Sequence, residues 1–368
     1  MTVAASKVRS ASVRAALEEG ARLRRRFVLG MLALVAVLLA ASSVAMSVGA
    51  VPIPIRDVWS IVANHLLHGS NAADPSADSI VWQIRAPRVL LGAMAGAGLS
   101  VVGVAVQAMV RNPLADPYVM GVESGAAAGA ALTIYLGRSV SSTSTLSPTA
   151  AAFIGALATL LIVFVLARRH GRVSSTRLLL VGVAMSYAWA GVTSFVLYAT
   201  RDAAAQGAVL FWVMGGLGGA AWPKLPLAAT IVVVAYVAIG LHARQLNVLA
   251  IGDDSASSLG INPDRLRARL LIICALLVAA IVSLVGPIGF VGLVVPHLAR
   301  LLFGADHRRL IPGAVLVGAT FLVVVDIVAR TLFRPSELPI GVVTAVIGTP
   351  FFLWLLRRRD QVGDGAAE

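Results

Sequence analysis

Four stretches of the chain, residues 27–48, 89–110, 146–167 and 178–200, contain no Asp, Glu, Lys or Arg. Each is about as long as the roughly 20 residues a helix needs to cross the hydrocarbon of a bilayer. A soluble core has no use for so many such segments, and in lipid only a helix or a closed barrel satisfies every backbone group. Composition agrees: 13% of the 368 residues are charged, against roughly 25% in a soluble domain. Mean hydropathy is +0.89. The sequence therefore predicts an all-α polytopic membrane protein.

Ten transmembrane helices are expected, near 27–48, 88–110, 118–136, 149–167, 178–199, 226–242, 268–285, 290–303, 310–330 and 338–356. An even number puts both termini on one side, and 22 of the 30 lysines and arginines then fall on that side. The positive-inside rule makes it cytoplasmic. This divides the chain into a cytoplasmic segment 1–26, a membrane domain 27–356 with a cytoplasmic loop 244–267, and a tail 357–368. The arginines before residue 27 resemble a signal-peptide n-region, but the following run is too long and lacks a cleavage site, so it is read as a retained helix. Residues 203–223 are also uncharged. If they crossed, the cluster Arg265, Arg267 and Arg269 would face outward, so they are expected to form an external re-entrant or surface helix. The run 270–296 is too long for one span, and GPIGFVG (286–292) is expected to break it into two.

Several chemistries are excluded or weakly supported. The net charge of +13 lies in short clusters between apolar runs, not on a basic face suited to nucleic acid. The single cysteine, Cys274, permits no disulfide framework or cysteine metal site and reads as a packed thiol. Neither Lys7 nor Lys224 follows the glycine pattern of a phosphate-binding loop, so no ATP-hydrolysing site of that kind exists. GGLGGA (215–220) lacks the βαβ setting of a dinucleotide site. Of the histidines only His65 and His68 have ligand-like spacing, and a solvated helix face explains them better. No catalytic constellation, metal set or cofactor site is expected. Gly92 with Gly96, and Gly121, Gly125 and Gly129, suit close helix packing. Trp59, Trp82, Trp222 and Trp354 suit interfacial anchoring. The intramembrane carboxylates are Glu123 and Asp326, the latter four residues before Arg330 and able to pair with it.

The stretch VWQIRAPRVLLGAMAGAGLSVVGVAVQAMVRNPLADPYVMGVESGA (81–126) resembles the permease subunits of ABC importers for ferric siderophores, haem and vitamin B12. The resemblance continues in SSTRLLLVGVAMS (174–186), GPIGFVGLVVPHLARLLFGADHRRLIPGA (286–314) and DIVARTLFRPSELPIGVVTAVIGTPFFLWLL (326–356). It implies ten helices per subunit, a second permease subunit around a central path, two cytoplasmic ATPase subunits and an external substrate-binding protein. It also implies two inverted five-helix halves, of which the sequence shows no clear echo.

The resemblance also implies roles for particular residues. Arg85, Arg88 and Arg330 match rim arginines that ion-pair with the binding protein, lipid-headgroup anchoring being the competing reading. Asn112, Leu114, Ser175 and Thr176 match the cytoplasmic gate, with ordinary loop capping as the alternative. RQLNVLAIGDDSASSLGINPDRLR (244–267) matches the segment that forms two short coupling helices on the ATPase, centred on Leu249, Gly252, Ser257 and Gly260, with Asp253 as a helix cap; a solvated loop is the alternative. Ferric siderophore is the expected cargo, with vitamin B12 and haem as alternatives. An ion-coupled carrier using Glu123, Asp326 and His297 is the distant competitor. The expected location is the inner membrane.

Overall fold

The computed structural model describes residues 2–67, 74–139, 147–169, 172–173, 175–334 and 336–364. In chain order the α-helices are α1 (Thr2–Ser47), α2 (Ile55–Leu67), α3 (Pro75–Asp78), α4 (Ala86–Val110), α5 (Val122–Ser139), α6 (Pro148–Ala167), α7 (Ser175–Ala199), α8 (Ala203–Val213), α9 (Leu225–Leu241), α10 (Ala243–Ile251), α11 (Asp253–Ser258), α12 (Pro263–Val285), α13 (Val291–Phe303), α14 (His307–Thr331) and α15 (Ile340–Asp364). Between α6 and α7 the pairs Arg168–Arg169 and Arg172–Val173 form a minimal antiparallel ribbon.

Many helix starts are written in side chains. Asp74, Ser147, Asp202, Asn262 and Asp306 each accept a hydrogen bond from an amide of the helix they precede. That satisfies donors that have no partner inside the helix. Proline follows the cap in α3, α6 and α12, where its missing N–H is no loss.

Each of the ten predicted spans coincides with a helix. Among the described residues, seven helical segments are long and apolar enough on their own to cross a membrane; α5, α13 and α15 supply the other three positions. The uncharged stretch 203–223 becomes the 11-residue α8 and a turn. At about 1.5 Å per residue that helix is too short for a bilayer core of about 30 Å. The run 270–296 divides into α12 and α13 around a turn in which Gly286 and Phe290 both take positive φ. α1 passes through the expected boundary at residue 26 without a break.

α4 is the hub. It packs against α9, α12, α13 and α14 and is buried along nearly its whole length. A helix apolar all round belongs inside. Small residues allow the approach: a methyl group on Gly96 would collide with the Gly318 carbonyl of α14, and one on Gly103 with the Gly292 carbonyl of α13. Ser100 Oγ donates to the Ala314 carbonyl at 2.7 Å across the same contact. The second glycine series works similarly, Gly125 and Gly129 meeting Gly155 and Ala151 of α6. α1 and α7 instead leave apolar side chains such as Leu32, Leu180 and Phe195 outside the bundle.

Candidate functional site

Three groups of predicted residues lie at the two ends of the bundle. At the end predicted to face outward, the π-helical turn Ser79–Arg85 leads into α4. Pro87 cannot donate to the carbonyl four residues back, and the Ala86 amide reaches Val81 instead. This wide turn aims Arg85 at the end of α1. Arg85 Nη1 donates to the Met46 and Ser47 carbonyls at 2.7 and 2.9 Å, and Nη2 donates to the Val51 carbonyl. Arg330, from α14, donates to the Ala45 and Val48 carbonyls at 2.9 and 3.2 Å. Two arginines thus cap the C-terminus of α1, where carbonyls are unpaired and the helix dipole is negative.

Arg88 completes the cluster. Its Nε donates to Asp326 Oδ1 at 2.9 Å and its Nη1 to Glu337 Oε2 at 2.8 Å. The expected Asp326–Arg330 pair forms at 2.9 Å, an ion pair without hydrogen-bond alignment. All three arginines line one cavity of about 210 Å3 together with Arg334 and Glu337. The three arginines expected at the rim thus form the walls of this cavity. Arg85, Arg88 and Arg330 are 5%, 7% and 6% exposed, because backbone carbonyls and Asp326 hold them inside. The exposed charges beside them are Arg334 and Glu337.

The histidine reading is corrected. His65 is not on a solvated face: it stacks on Trp82 at 4.3 Å and bonds Asp78 at 2.8 Å. His68 lies outside the described residues. Trp82 and Trp222 pack together, and Trp222 Nε1 donates to the Trp82 carbonyl at 2.8 Å.

At the opposite end, α4 stops at Arg111, which adopts left-handed backbone at φ 55°, and the loop RNPLADP follows. Asn112 Oδ1 accepts from the Leu114 amide at 2.9 Å, and Asp116 Oδ1 accepts from the Tyr118 amide at 2.8 Å. The Ile288 amide donates to the Tyr118 hydroxyl at 3.2 Å, tying this loop to the α12–α13 turn. Asn112 thus performs the local capping weighed against gating, while Leu114 is half-buried. Ser175 and Thr176 open α7, with side chains outside the described set. Glu123 stands half-buried in the first turn of α5.

The loop 244–267 folds into the two short helices α10 and α11. Leu249 is fully buried under them, while Ser257 and Gly260 are exposed. Gly252, at φ 157° and ψ 162°, and Gly260, at φ 76°, make the turns that bracket α11. Asp253 was expected to cap a helix. Instead it is the first residue of α11, and its carboxylate receives both Nη groups of Arg267, at 2.6 and 2.9 Å. Those hydrogen bonds hold Asp253 below its usual pKa, against the burial that raises it. At the other end Asn247 donates to Asp306 at 2.7 Å and accepts from the His307 amide at 2.9 Å. Sequence reasoning named neither Asn247 nor His307 for this site, and gave Arg267 no role beyond a charge for topology.

The FecCD transport family matches residues 32–358 of this chain. The hemin transport system permease protein HmuU of Yersinia pestis is 41% identical over 344 residues, covering 92% of this chain and 98% of the relative. The cobalamin import system permease protein BtuC of Halobacterium salinarum is 42% identical over 285 residues, 77% of this chain and 75% of the relative. Among solved structures, one described as an inward-facing metal-chelate type ABC transporter superposes with TM-score 0.76 at 30% identity, covering 89% of this chain and 98% of that one. The chain belongs to the FecCD transport family.

Proposed function

We propose that this FecCD permease, a multi-pass subunit of an ATP-binding-cassette importer in the inner membrane, carries a metal-bound macrocycle, haem or cobalamin, toward the cytoplasm. The similarity to a haem permease along 92% of the chain carries this reading, and the cobalamin relatives support the same cargo class. Ferric siderophore, expected only because it is the frequent cargo of the family, is the second choice. The permease works beside a second copy or close paralogue, between two cytoplasmic ATPases and an external binding protein, with both termini cytoplasmic.

In this reading α10 and α11 seat on the ATPase. Exposed Ile251 and Leu259, 76% and 68% accessible, offer an apolar contact unsuited to free solvent. The loop 111–117 and the start of α7 form the inner gate, where Asn112, Leu114, Ser175 and Thr176 close a wide path without gripping a large chelate. The outward cavity receives the binding protein through its exposed members, Arg334 and Glu337, with Arg85, Arg88 and Arg330 holding its walls. Uptake into vesicles carrying the assembled importer tests all of this. ATP-dependent, vanadate-sensitive uptake of haem or cobalamin is expected. Uptake driven by an ion gradient without ATP would favour a secondary carrier, and uptake of a ferric siderophore alone would reassign the cargo.

A further inference from the structure

One side chain joins the α10–α11 segment to the last turn of α4, just before the loop that follows it. Arg267 projects from the second turn of α12. Its two Nη atoms hold the Asp253 carboxylate at 2.6 and 2.9 Å. Its Nε donates to the Met109 carbonyl at 3.0 Å. Asp253 opens α11, and Met109 lies two residues before Arg111, where the chain turns out of α4. Arg111 leans toward the same carboxylate, at 3.9 Å. The Met109 carbonyl belongs to the last turn of α4 and has no helical partner to lose. A guanidinium fork fixes direction as well as distance, so α11 cannot shift without pulling on the end of α4. The far end of the segment is held separately by Asn247 on Asp306 and His307. The segment is thus pinned to α14 at one end and to α12 and α4 at the other.

We propose that Arg267 is the positioning residue that passes movement of α10–α11 to the inner gate, through the Asp253 carboxylate on one side and the Met109 carbonyl on the other. The inference rests on the coupling and gating roles proposed above. It adds the physical link between them. Lysine at this position would keep the charge but lose the planar fork, so charge and geometry can be separated.

The test uses the full importer, with its ATPase and binding protein, reconstituted in vesicles in a Cys274→Ala background. Cargo moved per ATP is measured for Arg267→Gln, Arg267→Lys and Asp253→Asn. The distance between spin labels at Leu114→Cys and Ser258→Cys is measured with and without ATP. Arg267→Gln should keep hydrolysis while cargo per ATP falls about tenfold or more, the scale of losing a charge-assisted hydrogen bond. The label distance, single and independent of nucleotide in the parent, should broaden in this variant. Arg267→Lys should fall between the two. If Arg267→Gln fails to assemble, Asp253→Asn, altered at a half-exposed position, should show the same two changes. Parent-like cargo per ATP and an unbroadened distance in either variant that assembles overturn the proposal. Cross-linking of Ser257→Cys to the ATPase separates the two readings: a missing cross-link defeats the coupling role itself, whereas a retained cross-link with parent-like coupling defeats only Arg267.

Discussion

The arginines at the outward end show how far a charged residue's role depends on what lies beside it. Arg88 and Arg330 flank Asp326, which is 1% exposed. Removing one member of such a set leaves the others buried and uncompensated, at a cost of about 3–5 kcal/mol. Asp326→Ala should therefore lower the melting temperature of the detergent-solubilised permease markedly, read by a thermal-shift assay. Glutamate at Arg85 should reduce the yield of folded protein, because it would set a carboxylate against the α1 carbonyls. Arg334→Glu, at the exposed edge, should leave folding intact and weaken binding-protein association severalfold at low salt, as rim charges do. At the inner end Asp253 has a depressed pKa. A depressed carboxylate contributes its stabilisation above its unfolded pKa and loses it only as pH falls through the folded value. Its link to Arg267 should hold from about pH 8 to pH 5. Cargo per ATP should show no transition from this pair there, while Asp253→Asn should be low throughout. Of these partnerships only Asp326 with Arg330, four residues apart on one helix, could be read from the sequence. Asp253 and Arg267 stand 14 residues apart, and Arg330 and Ala45 stand 285 apart, and no local pattern marks an arginine as a cap for a distant helix.

The helices were far more legible, because an apolar run of membrane length has few alternatives. All ten predicted spans are helices, and the turn after α12 falls where glycine and proline announced it. The residue that takes positive φ at the start of α13 is Phe290, not a glycine, and that was not foreseeable: bulky residues avoid this region unless tertiary contacts impose it. Here Gly348 makes room for the ring. The helix caps were written locally, but the Asp253 cap was misread, since a nearby guanidinium outcompetes a backbone amide for the carboxylate. Packing between elements leads to a sharp expectation. Gly96→Val would drive its side chain into the Gly318 backbone. Overpacking costs typically about 1–3 kcal/mol, and more against rigid backbone. The variant should insert but show reduced thermal stability, whereas Gly191→Ala, at an exposed position with open space around it, should not.

Across the whole molecule, the two ends are mechanically unlike. The end predicted to face outward is clamped by buried ion pairs, with Arg334 and Glu337 exposed beside them. The inward end is built of short helices, a local loop and pairs at the surface, the kind of structure that can shift at low cost. This contrast fits the roles proposed for the two ends. Family membership was legible because its motifs span most of the chain, whereas cargo was not, since no residue of the described set singles out one chelate. The capping of α1 also sets a timetable for biogenesis. Its last carbonyls are made early, yet one of their two arginine partners, Arg330, is 285 residues downstream of Ala45. At about 5–20 residues per second the ribosome needs on the order of 15–60 s to deliver it. Until then the first helix sits in the membrane with an unfinished end, visible to chaperones and proteases, and a chain truncated before α14 would carry that mark permanently.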